Sequence, residues 1–216
     1  MKMEHLARKL ASNIALSLGY NAEKEAVIAY GLIAIIQIII TVLLVLFFGI
    51  LAGAPAETLI ICFSVGVLRK YSGGAHAKTA ELCTVFSVLF CTSTAVISKM
   101  LLAKIYYPVP MALAMAITFG LSFYTVYKRV PVDSLNKPIR TEKKKSRMKK
   151  GSLIILVIYL WLSVAFFMFG STYTICRSYG ISLLIGIAWQ TFTLTYSGAR
   201  FIEKMNSVIR VRKEVP

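Results

Sequence analysis

AVIAYGLIAIIQIIITVLLVLFFGILA, residues 26–52, runs for 27 residues without a charge. A helix through it rises about 40 Å at ~1.5 Å per residue, enough to cross ~30 Å of hydrocarbon even when tilted. The whole chain agrees with that reading. At 57% hydrophobic residues and a mean hydropathy of +0.72, its 216 residues carry more apolar surface than a soluble domain keeps inside. The chain reads as an all-α integral membrane protein.

On the N-terminal side, Leu6, Leu10, Ile14 and Leu18 recur every four residues, while Lys2, Arg8, Lys9 and Asn13 fall on other faces. Residues 1–22 therefore read as an amphipathic helix lying in the membrane interface, and not as a secretory signal, because no apolar core or small-residue cleavage site follows. On the C-terminal side, Gly53, Pro55 and Glu57 punctuate a turn before a short apolar run from Thr58 to Leu68. Even a helix from Pro55 to Lys70 rises only about 24 Å, so this segment is short for a span. Four further segments follow: Leu82 to Leu102, Pro108 to Tyr127, Ser152 to Gly170 and Gly180 to Ala199. The expected architecture is a single membrane domain of about six transmembrane helices, one of them short.

Charge sets the expected orientation. The formal net charge is +16, and placing both termini in the cytoplasm leaves only Lys99, Lys104 and Arg177 of the 25 basic residues outside. The tendency of lysine and arginine to collect in cytoplasmic loops favours this multi-pass placement in the cell membrane. The densest cluster, KRVPVDSLNKPIRTEKKKSRMKK at 128–150, reads as a basic cytoplasmic loop with Pro131 and Pro138 breaking any helix before about Ile139. Such a surface suits anionic lipid, an acidic peptide, or both. Nucleic acid is a poorer partner, since no aromatic residues interleave the charges.

Chemistry concentrates at 69–83, RKYSGGAHAKTAELC. His76, one of two histidines, stands seven residues before Cys83. An imidazole within hydrogen-bond reach stabilises a thiolate and can later protonate a leaving amine. In one continuous helix the two would lie ~10.5 Å apart along the axis, so a dyad needs the chain to bend between them. Gly73 and Gly74 supply backbone freedom for such a bend. Taken singly, His76 also reads as an interfacial histidine satisfied by backbone, and Cys83 as a small buried apolar residue. Together, beside Gly-Gly and Arg69 at the membrane edge, they point to a catalytic pair. Glu81 and Ser72 are nearby candidates for a third residue, and backbone amides at the following helix start for an oxyanion hole. Cys62, Cys91 and Cys176 lack a neighbouring base and read as packing or loop residues. No metal or other cofactor is expected, because His5 is the only other histidine.

Arg69, Gly73, Gly74, His76, Ala77 and Cys83, followed by a cationic loop containing Lys137, Pro138 and Ile139, resemble the AgrB family of accessory gene regulator proteins. The resemblance extends over nearly the full chain. It implies a membrane cysteine endopeptidase of quorum sensing that trims the acidic C-terminal tail from a small pro-peptide. An acyl-enzyme on Cys83 is then closed by a substrate cysteine or serine into a thiolactone or lactone, with His76 as general base and acid. Arg69, Gly73 and Gly74 would shape the site, and Lys70 with Lys143, Lys144 and Lys145 would meet the substrate tail. The family likeness further implies a homodimer. Two other classes stay open: a peptide transporter, for which charged or broken helices at mid-membrane are wanting, and a non-catalytic scaffold binding an acidic partner through the basic loop.

Overall fold

The computed structural model describes residues 2–75, 77, 79–104, 107–132 and 141–211, and the described residues form eight α-helices. In chain order these are α1 Lys2–Ser17, α2 Ala22–Leu51, α3 Pro55–Ser72, α4 Ala80–Ile97, α5 Pro108–Arg129, α6 Glu142–Gly170, α7 Thr174–Thr193 and α8 Tyr196–Val211. A π-helical turn, Ser98–Leu102, prolongs α4. The boundaries have local causes. Asn21 caps α2 by accepting from the Lys24 amide at 3.1 Å, and Pro55 and Pro108 open α3 and α5 where a missing N–H does no harm.

Four helices among the described residues are long and apolar enough to cross a membrane: α2, α4 with its π turn, α5 and α6. The chain is thus a multi-pass helical membrane protein. The expected count of about six is met only to four on this measure, and α3 and α7 are the two that fall short. The reason is their position. Both are inner helices, and their buried faces carry Ser64, Ser72, Ser178, Ser182, Gln190 and Thr193. A helix covered by protein needs no lipid-facing apolar surface, and small polar side chains allow close, hydrogen-bonded packing.

That packing is closest where α3 crosses α7. A β-carbon at Gly186 would overlap the Ser64 hydroxyl oxygen and lie 3.2 Å from the Ile61 carbonyl. Tyr159 of α6 donates to the Ser64 carbonyl at 3.1 Å, so three helices meet at this level. Two apolar clusters flank the crossing. One joins Leu68, Val126, Leu156, Ile187 and Leu194, and the other joins Val45, Ile61, Val88, Cys91 and Ala95. At the end of the bundle where α3 begins, the buried Glu57 carboxylate accepts from Ser178 at 2.8 Å, and Lys99 stands 3.9 Å away.

Two expectations change. The basic stretch 128–150 is not a loop throughout, because α5 runs to Arg129 and α6 already begins at Glu142. From Glu142 to Lys150 there is no glycine or proline, and Glu142 pairs with Lys145 at 2.8 Å, so these good helix formers extend the membrane helix into the polar region. Lys137, Pro138 and Ile139 lie outside the described residues. Cys176, expected in a loop, sits in the first turn of α7.

Gly186→Ala should therefore destabilise the bundle by ~1–3 kcal/mol through overpacking at Ser64. Thermal unfolding in detergent, followed by thiol labelling of buried Cys91, would show a lowered midpoint, and adding Ser64→Gly should restore most of the loss. A Gly186→Ala midpoint equal to that of the unmodified protein would refute the close crossing.

Candidate functional site

Residues 69–83 run from the last turn of α3, through the connection at 73–79, into the first turn of α4, and three parts of the fold hold the described start of that connection. The α3 end is closed by Gly73, with φ +74°, whose amide donates to the Arg69 carbonyl at 2.9 Å. A side chain there would overlap the Val132 carbonyl, because Gly73 and Val132 pair as an isolated parallel bridge and the Val132 amide donates to the Ser72 carbonyl at 3.0 Å. Gly74 has φ +129°, and a β-carbon on it would stand 3.0 Å from Thr193 Oγ1. Both positions thus demand glycine, for backbone conformation and for space.

Gln190 of α7 is the largest polar contribution from a remote element. It is fully buried, and its Nε2 donates to Ser72 Oγ at 2.9 Å and to the Gly73 carbonyl at 2.8 Å. Three residues on, the Thr193 carbonyl accepts from the Ala75 amide at 3.3 Å. From the α3 side, Arg69 Nη2 donates to the Ala75 carbonyl. The connection is therefore fixed to the ends of α3 and α7 and to the strand-like residue after α5.

The helix that follows starts sharply. Thr79 caps α4, its hydroxyl accepting from the Leu82 amide at 3.2 Å and its carbonyl from the Cys83 amide at 3.1 Å. Ala77 and Thr79 are not helical, so residues 77–83 are not one continuous helix. His76 and Lys78 lie outside the described residues. Cys83 is half-buried in the first turn of α4 and is a free thiol. Its neighbours fix it laterally: Thr84 bonds Thr41 of α2 at 3.0 Å, and Phe86 and Phe90 pack on Trp189 of α7 with ring centroids 5.4 and 4.3 Å away.

Arg69, half-buried in the last turn of α3, is a charged group within electrostatic range of the Cys83 sulfur. Arg69 Nε is buried and has no hydrogen-bond partner among the described residues. The antiparallel register of α3 and α4 explains the approach. Cys62, two turns before Arg69, meets Cys91, about two turns after Cys83, in the second apolar cluster.

The other expected residues are spread more widely. Ser72 is held by Gln190, and Glu81 occupies the first turn of α4. The Leu82 and Cys83 amides, candidates for an oxyanion hole, are already taken up by Thr79. Lys70 is exposed with its ammonium 5.7 Å from the Tyr71 ring, while Lys143 and Lys144 are exposed and Lys145 half-buried on the first turn of α6. The residues that sequence reasoning missed are Gln190 and Trp189. A glutamine inside an otherwise apolar segment was the available signal.

A half-buried thiol at a helix start and a half-buried arginine at the end of the preceding helix, within a multi-pass helical bundle, define a membrane protein with a candidate site at one end of α3 and α7. The family model for accessory gene regulator B matches residues 4–194, and the chain belongs to that family, AgrB. An AgrB-like protein 2 of Clostridium perfringens strain 13 is 36% identical over 208 residues, covering 95% of this chain and 97% of the relative. A second AgrB-like protein, from C. perfringens strain SM101, is 35% identical over the same coverage, and one from Halalkalibacterium halodurans is 27% identical over 209 residues. No solved structure matches. Family membership gives the chain a role in the accessory gene regulator system of quorum sensing, whose AgrB proteins are known for peptide processing.

Gln190→Leu removes both donors that pin Ser72 and Gly73 while keeping much of the volume. Hydrogen exchange of the Ala75 amide should accelerate at least tenfold in this variant, corresponding to loss of ~1–3 kcal/mol of local hydrogen bonding. Unchanged Ala75 exchange would show that the connection does not depend on α7.

Proposed function

We propose that this chain is a membrane cysteine endopeptidase that removes the acidic C-terminal tail of a small signalling pro-peptide and closes the remainder into a thiolactone or lactone. The observation that supports this reading is the free Cys83 thiol in the first turn of α4, with a half-buried arginine near it whose Nε is buried and has no hydrogen-bond partner among the described residues. Membership of the AgrB family supplies the context.

In the proposed reaction, His76 accepts the Cys83 proton and the thiolate attacks the scissile carbonyl carbon. The carbonyl π electrons move to oxygen, and the Arg69 guanidinium, through Nε, offers a donor and a positive charge to that oxyanion. Collapse breaks the C–N bond, His76 returns the proton to the leaving amine, and the acidic tail departs, leaving a thioester on Cys83. A cysteine or serine within the bound peptide then attacks the thioester, its proton passing through His76 to the Cys83 sulfur. The ring closes and the free thiol returns. Low water activity at the membrane edge favours this intramolecular attack over hydrolysis to a linear product.

The remaining assignments rest on charge, on helix length and, for the homodimer, on the family likeness. Both termini face the cytoplasm of the cell membrane, and α3 and α7, about 27 and 30 Å long at ~1.5 Å per residue, complete six crossings. Lys70 and the α6 lysines 143–145 meet the acidic tail, and the protein works as a homodimer.

Mass spectrometry of an acidic-tailed precursor incubated with membranes bearing the protein tests this reading. Cys83→Ala and His76→Ala should each lower tail release by at least about 10²-fold while inserting normally. Unchanged processing by Cys83→Ala would overturn the peptidase and return attention to a scaffold or transporter.

A further inference from the structure

A cleft opens along α6, where Tyr71 at the end of α3 lies against Gly151. Its volume is about 690 Å³. The α6 wall is one helical stripe, because Lys143, Arg147, Lys150, Ile154 and Ile158 follow at intervals of four, three, four and four residues. The stripe changes character along its length. Three cations stand at the end nearer the chain's basic surface, and none of them forms an ion pair among the described residues. Beyond Gly151 the same face is isoleucine, with Ile154 and Ile158 exposed and Ile155 buried beneath them.

This gradient matches the membrane. α6 is one of the four helices apolar enough to span, and its charges end at Lys150, so the cations stand at headgroup level and the isoleucines at acyl-chain level. Gly151 is what lets the Tyr71 ring form the opposite wall, since a β-carbon there would overlap the ring.

We propose that this cleft is a site for one anionic glycerophospholipid, its phosphate held by Lys143, Arg147 and Lys150 and an acyl chain lying along Ile154 and Ile158. An acidic peptide would use the cationic half and leave the apolar half facing hydrocarbon unfilled, whereas a phospholipid is complementary to both. The cleft abuts Tyr71, the residue before Ser72, so the lipid would rest directly against the connection that carries the candidate site. Lys143 is shared with the tail contacts proposed above, but lipid retention is read without substrate, so failure of the lipid site leaves tail release by Cys83 untouched and failure of the peptidase reading leaves lipid retention untouched.

The test is native mass spectrometry of the full-length protein in detergent, titrated with dioleoylphosphatidylglycerol or dioleoylphosphatidylcholine. Unmodified protein should take its first phosphatidylglycerol with about tenfold preference over phosphatidylcholine. The preference should fall to about twofold or less in Lys143→Gln/Arg147→Gln/Lys150→Gln and in Ile158→Trp, which fills the apolar half without changing charge. Lys128→Gln/Arg129→Gln/Arg200→Gln, with the same loss of charge elsewhere, should keep it. Circular dichroism and gel filtration confirm that each variant is folded. Equal losses in the two triple variants would reduce the effect to net charge and overturn the site, as would full preference in Ile158→Trp. Displacement of the lipid by an equimolar Asp/Glu hexapeptide would assign the cleft to a peptide instead.

Discussion

Non-helical backbone at a membrane edge survives only where protein satisfies its amides and carbonyls, and residues 72–75 are where this chain meets that requirement. The Ser72 carbonyl accepts from Val132, the Gly73 amide donates to Arg69, the Gly73 carbonyl accepts from Gln190, and Ala75 is bonded at both its amide and its carbonyl. No single helix could supply these partners. They come from the end of α3, the end of α7 and the residues after α5, so the connection exists only when all three have already packed.

That dependence explains the order of the bundle. Gln190 can reach Ser72 only if α7 lies against α3 over its length, and the Gly186–Ser64 crossing allows that approach. An inner pair so close must use small and polar residues, and it then needs α2, α4, α5 and α6 around it to face lipid. The helices that pin residues 72–75, α3 and α7, are therefore not among the four most apolar ones, although α4, which carries Cys83, is. Hydropathy follows the facing of lipid and not the pinning of that connection.

The same division decides what could be read from the chain alone. The charge-free run at 26–52 and the proline-opened segments at 55 and 108 gave α2, α3 and α5 almost directly, because lipid and proline act on the local sequence. The start of α6 was hidden in 128–150, where a charge run reads as loop although Glu142 to Lys150 are good helix formers. Arg69, Gly73, Gly74 and Cys83 stood out because their residue types make unusual demands on a membrane segment. Gln190 did not, because its partner Ser72 is 118 residues away and an apolar window dilutes one amide. Local spacing could state that the chain must bend before Cys83. It could not say that Thr79 caps α4, or that the cap takes up the amides named as candidates for an oxyanion hole.

The loss of those amides sharpens the question of why an arginine stands at the α3 end with its Nε withdrawn from solvent. As a clamp on the Ala75 carbonyl a neutral donor would serve, and Gln190 shows that the fold can place one on the neighbouring Gly73 carbonyl. A buried guanidinium is costly unless it is paired, and replacing such a charge with apolar packing is often neutral or stabilising. Stability alone therefore gives no reason for the charge or for leaving Nε unbonded beside Cys83. In the proposed reaction, the oxyanion that forms next to Cys83 gives one. With the helix-start amides already bonded to Thr79, Arg69 Nε is a free donor among the described residues, and under that proposal the cost of desolvating it is recovered when the anion forms.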